Sequence, residues 1–321
     1  MIYRATLALI LPFASPALAE GLQLDLPVDC TLGDTCHIQQ YMDRDAGPGV
    51  RDYTCAALSY DGHKGTDFAL PSLAAMQAGV TVFAAAAGTV KGARDGMADA
   101  APDTQEITNR ECGNGVLIDH GNGWETQYCH LKNGSIAVTS GDAVATGTPL
   151  GQVGQSGLAA FPHLHLSVRH DGTPVDPFDP DGIITCSAPG DSTLWKTPPA
   201  YQPGGLINLG FSDQIPDYAA IKAGTASSSS LPPTAPALVI YGYSYGTLAG
   251  DMLRLVLTGP DGVTISKDVR LDKPQAQSFR AIGKKRNAAL WPTGTYNGTV
   301  TLMRGATVID EKSATMTVNT P

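Results

Sequence analysis

The chain has 321 residues, with 30 acidic against 21 basic side chains and a formal net charge of −9. That balance argues against nucleic acid as a partner, because no excess of Lys and Arg is available to neutralise phosphates. The length favours two domains, and plentiful Gly (36) and Pro (23) beside only 16% charged residues point to short strands and tight turns. Residues 1–19 read as a secretory signal, with the positive charge of Arg4, an apolar core over 7–14 and the small-x-small cleavage site Ala17-Leu18-Ala19. The core is too short to span a bilayer, and no later run of eighteen apolar residues follows. The mature chain is therefore expected to be soluble and exported, periplasmic or secreted, at −10 once Arg4 is removed (20 basic, 30 acidic). Cys30 follows Asp29 and lies well beyond the apolar core, which is no lipidation context.

Residues 20–59 form an N-terminal extension with three Cys and many turn formers, expected to wrap the domain that follows. From 60 to 189, short apolar runs at 81–86, 116–118, 126–131, 149–153 and 163–168 are separated by Gly-rich turns. Helical periodicity is scarce, and the best short helix candidate is 72–78. This pattern predicts a mostly antiparallel sheet. Beyond Asp181 the composition changes. Residues 196–205 are Pro/Gly rich, 226–236 are Ser/Pro rich, and 206–211 between them has the pattern of a strand. From 237 onward, strands at 238–243, 253–257, 263–270, 277–282, 295–303 and 307–318 alternate with turns, one of them Gly259-Pro260-Asp261-Gly262. Turn signals every 8 to 12 residues suggest an immunoglobulin-like sandwich over 190–321, behind a linker. Tyr241, Tyr243 and Tyr245 make a period-2 row, read as a strand face. The expected class is all-β: a mostly antiparallel sheet domain followed by a β-sandwich.

Six Cys in an exported chain read as disulfides, and no Cys-x-x-Cys pair offers a thiolate zinc site. Cys112 and Cys129 flank a hairpin whose turn is Gly121-Asn122-Gly123, which brings them together across two antiparallel strands. Cys30, Cys36, Cys55 and Cys186 leave three pairings open.

Two strings concentrate the chemistry. His63-Lys64-Gly65-Thr66-Asp67 and His163-Leu164-His165 together hold three good zinc ligands and one spare imidazole. Catalytic zinc takes three protein ligands and keeps a fourth position for water. On a strand, His163 and His165 share one face while Leu164 and Leu166 point into the core. Gly62 and Gly65 favour turn and strand over helix for the first string.

These strings and the segments between them resemble the lysostaphin-type (LytM-like) zinc metallopeptidases, which are peptidoglycan endopeptidases. Gly62-His63-Lys64-Gly65-Thr66-Asp67-Phe68 looks like that family's first zinc motif. Residues 80–90 resemble its next strand pair, and 113–124 its central hairpin. Tyr128-Cys129-His130-Leu131 matches its Tyr-x-His-Leu. Residues 140–151 resemble its small hairpin, and Gly154-Gln155-Ser156-Gly157 followed by Pro162-His163-Leu164-His165-Leu166 matches its final motif. Val175-Asp176-Pro177 closes the domain in the usual place. The match spans residues 60 to 178 in the family's order.

The resemblance implies that His63, Asp67 and His165 bind Zn2+, that His130 and His163 are the catalytic imidazoles, and that the substrates are peptidoglycan peptides. It also implies that Asn114 holds a loop near the site. The sequence has no His-Glu-x-x-His, and imidazoles can do acid–base work near neutral pH. His163, two residues from His165, could itself be the ligand. His120 at a hairpin corner, His170 in a turn and His37 in the extension are expected to be structural, as are Asp176 and Tyr128. The rival readings are a catalytically silent LytM-like regulator or cell-wall-binding module, and an adhesion module built on the C-terminal sandwich. Five retained site residues weigh against both.

Overall fold

A computed structural model describes residues 21–104, 106–184, 186, 192–287 and 289–319. The signal over 1–19 lies outside the described residues. Chain order runs β1 (His37–Gln40), β2 (Thr66–Ala69), α1 (Leu73–Ala78), β3 (Thr81–Phe83), β4 (Gly88–Arg94), β5 (Asn114–Gly121), β6 (Trp124–Leu131), β7 (Ala143–Val144), β8 (Pro149–Gln152), β9 (His163–His170) and β10 (Thr173–Val175). It continues with β11 (Gly205–Ser212), α2 (Tyr218–Ala223), β12 (Ser230–Leu231), β13 (Ala237–Thr247), β14 (Met252–Gly259), β15 (Gly262–Arg270), β16 (Gln275–Lys285), β17 (Gly294–Arg304) and β18 (Thr307–Val318).

The first sheet has the order β1-β2-β9-β6-β5-β4-β7, with β10 added beside β9 and β3-β8 forming a separate pair. All its pairings are antiparallel, as expected. Alternation drives it. Leu164, Leu166 and Val168 of β9 turn into an apolar core with Phe68, Ile118 and Tyr128. α1 begins where Ser72 accepts a hydrogen bond from the Ala75 N–H, an N-cap that the sequence signals. The extension does wrap this domain. β1 pairs along β2, and Leu24 exchanges backbone hydrogen bonds with Leu194 and Lys196, which straps the extension to the chain leaving the domain.

The C-terminal half is a two-layer sandwich. A three-stranded sheet (β11-β13-β16) faces a five-stranded one (β12-β18-β17-β14-β15). Leu238, Ile240 and Ile282 of the first interdigitate with Leu253, Leu255, Val300 and Leu302 of the second. The tyrosine row lies on the opposite face of β13. Tyr241, Tyr243 and Tyr245 are all buried in the core of the first domain, and Tyr245 lies 4.2 Å, ring to ring, from His37 of the extension. Gln39 reinforces the seam by donating to the Ala276 carbonyl and accepting from Gln277. Period 2 thus marks an interface between layers, where aromatic rings bury much area at low entropy cost.

The disulfides are Cys30–Cys36, Cys55–Cys186 and Cys112–Cys129. The hairpin pair is the one its turn requires. Asp176 acts as a local turn cap, its Oδ1 accepting from the Phe178 N–H, while its Oδ2 is buried without a partner. Burial pushes that carboxyl up to about 7.

Candidate metal centre

β2 and β9 place Asp67 directly opposite His165, so the two side chains share one face of the sheet. His63 enters from the turn before β2. Its Nε2 lies 3.1 Å from Asp67 Oδ1 and 3.1 Å from His165 Nδ1, and His165 Nδ1 lies 2.8 Å from the same Oδ1. His63 and Asp67 are fully buried and His165 is partly open. Gly65 permits this approach: a Cβ there would sit 2.6 Å from both His165 Nε2 and the Leu166 carbonyl oxygen.

The partners of the far ring nitrogens fix the tautomers. His63 Nδ1 faces the Tyr41 carbonyl at 2.7 Å, so it carries the hydrogen and donates. Ser167 donates its hydroxyl to the Lys64 carbonyl, so its oxygen accepts from His165 Nε2 at 3.0 Å. In their neutral forms both rings therefore turn lone pairs, not hydrogens, toward a carboxylate oxygen. Three such atoms packed within about 3 Å repel one another unless a cation lies between them. The edge of a tetrahedron with 2.0–2.1 Å metal bonds is about 3.3 Å, so the triangle fits zinc. A carbonyl or hydroxyl holding the far nitrogen of each ligand imidazole is the usual outer support of such a site.

The two remaining histidines stand beside this triangle. His163 Nδ1–H donates to the Phe161 carbonyl at 2.9 Å, and its Nε2 lies 3.7 Å from Asp67 Oδ1. His130 Nδ1–H donates to the Ser156 carbonyl at 2.8 Å, and its ring centre is 4.6 Å from that of His163. Each ring thus carries its hydrogen on Nδ1 and leaves Nε2 as the acceptor, and the Asp67 distance puts the His163 Nε2 beside the triangle. Burial lowers both imidazoles, His130 well below the ordinary value. Burial alone would raise Asp67, but His63 and His163 outweigh it and hold the carboxyl well below the usual range. Burial works to lower His63 as well, and the Asp67 carboxylate more than reverses it.

His130 reaches the site by breaking strand alternation. Tyr128 pairs with Leu166 on the core face, so a regular β6 would send His130 there too. Sharing a face with Tyr128, the simple expectation from their spacing, is not what happens. A backbone φ of +64° at His130 swings its ring round to the histidines. A non-glycine residue in that region is uncommon and points to a constrained site. Tyr128 instead packs, its hydroxyl accepting from the Ala85 N–H.

Asn114 lies buried behind the site. It ties Met97 through both backbone groups and also donates to the Leu131 carbonyl, pinning the loop after β4. His120 is held at both ring nitrogens by Ala87 and Thr126, and His170 stacks on Trp124. His37 is buried against Tyr245, and burial lowers it to about 4. None of these three joins the site. Sequence reasoning missed Tyr60, whose exposed ring stacks 4.4 Å from His63, and Phe161, 4.6 Å from His163. It also missed the carbonyls of Tyr41 and Ser156, which no side-chain pattern can reveal.

The family model described as peptidase family M23 matches residues 61–177, the segment that carries all five residues. Residues 61–177 are a peptidase family M23 domain. Among similar proteins, the DD-carboxypeptidase/endopeptidase Mpg of Neisseria meningitidis is 37% identical over 117 residues, 36% of this chain and 22% of that one. The peptidoglycan DD-endopeptidase ShyA of Vibrio cholerae is 32% identical over 127 residues, 40% of this chain and 25% of that one. Both alignments thus span about a quarter of the relative's length. The catalytic domain of lysostaphin from Staphylococcus simulans overlaps at a TM-score of 0.28 and 22% identity, over 43% of this chain and 85% of that one. That overlap is too loose to add weight. The M23 domain supplies every residue of the candidate centre.

Proposed function

We propose that this chain is an exported zinc metallopeptidase that hydrolyses amide bonds in peptidoglycan peptides. The observation that carries the reading is the convergence of three lone-pair atoms, His63 Nε2, Asp67 Oδ1 and His165 Nδ1, with two further imidazoles beside them. Zinc held there supplies an electrophilic centre and lowers the pKa of bound water toward neutrality. His63, Asp67 and His165 bind the ion. His130 and His163 keep Nδ1–H on backbone carbonyls, so each Nε2 is left as a proton acceptor. A proton taken from the attacking water at one Nε2 turns that nitrogen into a donor for the oxyanion or the leaving amine. Tyr60 stacks beside His63 and Phe161 lies beside His163, aromatic rings next to two of the site histidines.

Peptidoglycan as substrate rests on the M23 domain and on its similarity to the peptidoglycan DD-endopeptidase ShyA of Vibrio cholerae. Export rests on the signal-like leader and on three disulfides, which persist in oxidising compartments. Among the described residues no helix is long and apolar enough to cross a membrane. We read the C-terminal sandwich as immunoglobulin-like. Its first, second and fifth long strands form one sheet and its third, fourth, sixth and seventh the other, a Greek-key arrangement of that kind. It contains no His or Cys, and we assign it binding or placement rather than chemistry. The test is zinc content of the purified protein together with release of new amines from peptidoglycan sacculi. One zinc per chain and amine release are expected. A zinc-loaded protein that releases none would favour the silent binding module.

A further inference from the structure

His130 holds a backbone conformation that costs an ordinary residue of order 1–3 kcal/mol, and such strain persists only where the surroundings over-determine it. Three hydrogen bonds surround the residue. Its N–H donates to the Cys112 carbonyl at 2.8 Å, its carbonyl accepts from the Gly154 N–H at 3.0 Å, and its ring donates to Ser156. Cys112 is in turn bonded to Cys129, the residue immediately before His130. One covalent link therefore joins the carbonyl that takes the His130 N–H to the α-carbon that leads into His130.

The same turn also fixes the Ser156 carbonyl. The Leu158 N–H donates to the Glu111 carbonyl at 2.8 Å. A Cβ on Gly113 (φ +65°) would lie 2.5 Å from the Ser156 carbonyl oxygen, and one on Gly157 (φ +76°) would lie 2.3 Å from the Glu111 carbonyl oxygen. At both glycines the neighbouring backbone lies too close to admit a side chain. Ser156 is locked from the other side, its hydroxyl accepting from the Asn114 N–H and donating to the Leu131 carbonyl. Neither of the other disulfides flanks a histidine of the site.

We propose that the Cys112–Cys129 disulfide is the positioning device for the His130 imidazole, so that turnover depends on this bond being oxidised. The proposal rests on the hydrolytic reading above. Reduction adds two electrons and two protons and leaves two thiols. A trialkylphosphine supplies the electrons and departs as its oxide, with oxygen from water. Cys112 is half-buried, within reach of a small reductant, whereas Cys129 is buried. Once the link is cut, the 110–113 turn loses its covalent anchor to β6, and the Cys112 carbonyl that takes the His130 N–H can drift, so the ring loses its alignment with the Ser156 carbonyl.

The experiment compares the full-length protein with a Cys112→Ser/Cys129→Ser variant and a Cys55→Ser/Cys186→Ser control. Zinc content, kcat, KM and the ring 15N shifts of His130 are measured well below the melting temperature. The 112/129 variant should keep its zinc and its KM, lose kcat on the order of 10²-fold, the scale of a misplaced catalytic group, and show averaged His130 tautomers instead of one Nδ1–H form. The control opens a far longer loop, with a sequence separation of 131 against 17. It should lose more thermal stability yet keep kcat and the single tautomer. Wild-type kcat with a single His130 tautomer in the 112/129 variant would overturn the proposal. If the serine pair does not fold, phosphine reduction of the native protein followed by reoxidation gives the same readouts. If the unmodified protein releases no amine at all, the hydrolytic reading has failed instead, and the tautomer measurement alone decides the positioning claim.

Discussion

Both halves of the molecule are β-sheet around an apolar core, yet they obey strand alternation with different strictness. In the C-terminal sandwich the rule bends only at register shifts, in β11, between β14 and β15 and between β17 and β18, and among the described residues no non-glycine residue there has positive φ. In the M23 domain the rule is broken repeatedly. His130 swings off its face, β5 and β6 shift register beside it, and Asp67, Asn114, His163 and Ser156 are polar groups buried without an apolar excuse. The irregular half is where donor atoms converge. Deviations that cost stability are kept where the deviation itself does chemistry.

The sharpest way to break that contrast is to alter the triangle itself. His165→Ala and His63→Ala should each lose most of the zinc and essentially all amine release, measured by metal analysis and amine assay. Stoichiometric zinc in either variant would remove the assignment. Next come the flanking imidazoles. His130→Ala and His163→Ala should keep near-stoichiometric zinc and lose turnover on the order of 10²-fold or more. Metal loss in His163→Ala, with metal kept in His165→Ala, would reverse the roles of the two.

The regular half should answer with stability, not chemistry. A chain ending at residue 189 lacks Leu194, Trp195 and the three buried tyrosines, all part of the first domain's core. It is expected to be soluble only in part and to melt without a cooperative transition in calorimetry. A cooperative, zinc-loaded and active product would mean that the sandwich is a passive appendage. The smallest effect concerns Asp176. Its carboxyl is raised by burial to about 7 in the folded protein, while the unfolded group titrates near 4. The folded state is therefore favoured at low pH, and stability is lost as pH rises through that window. Asp176→Asn keeps the acceptor for the Phe178 N–H. It should raise stability at pH 8 by at most about 4 kcal/mol and change nothing below pH 4. Equal melting shifts at both pH values would refute this.

Much of the site could be read directly from the chain, because its signal is local. His163 and His165 alternate with Leu164 and Leu166, so periodicity alone assigns their faces. The hairpin turn at 121–123 brings Cys112 and Cys129 together. What stayed hidden depends on long-range partners or on backbone. The four residues of β1 carry no pattern that predicts pairing with β2. α2 is six residues long and lacks a side-chain cap bond, too short for a helical period to show. The position of His130 follows from a single dihedral angle, and the Tyr41 and Ser156 carbonyls exist at every sequence. The tyrosine row announces a strand face but not what covers it.

The pairing of β1 along β2 has a consequence for access. β2 carries Asp67, and its outer edge offers amide and carbonyl groups that could capture an extended peptide as an added strand. β1 already occupies that edge, with Gln40 opposite Asp67 and Ile38 opposite Phe68. The inner edge of β2 is taken by β9. An incoming chain therefore finds neither edge of β2 open for a main-chain ladder. On the hydrolytic reading, a peptide reaching Asp67 is then recognised across the sheet face by side-chain shape rather than by a shared register of main-chain hydrogen bonds.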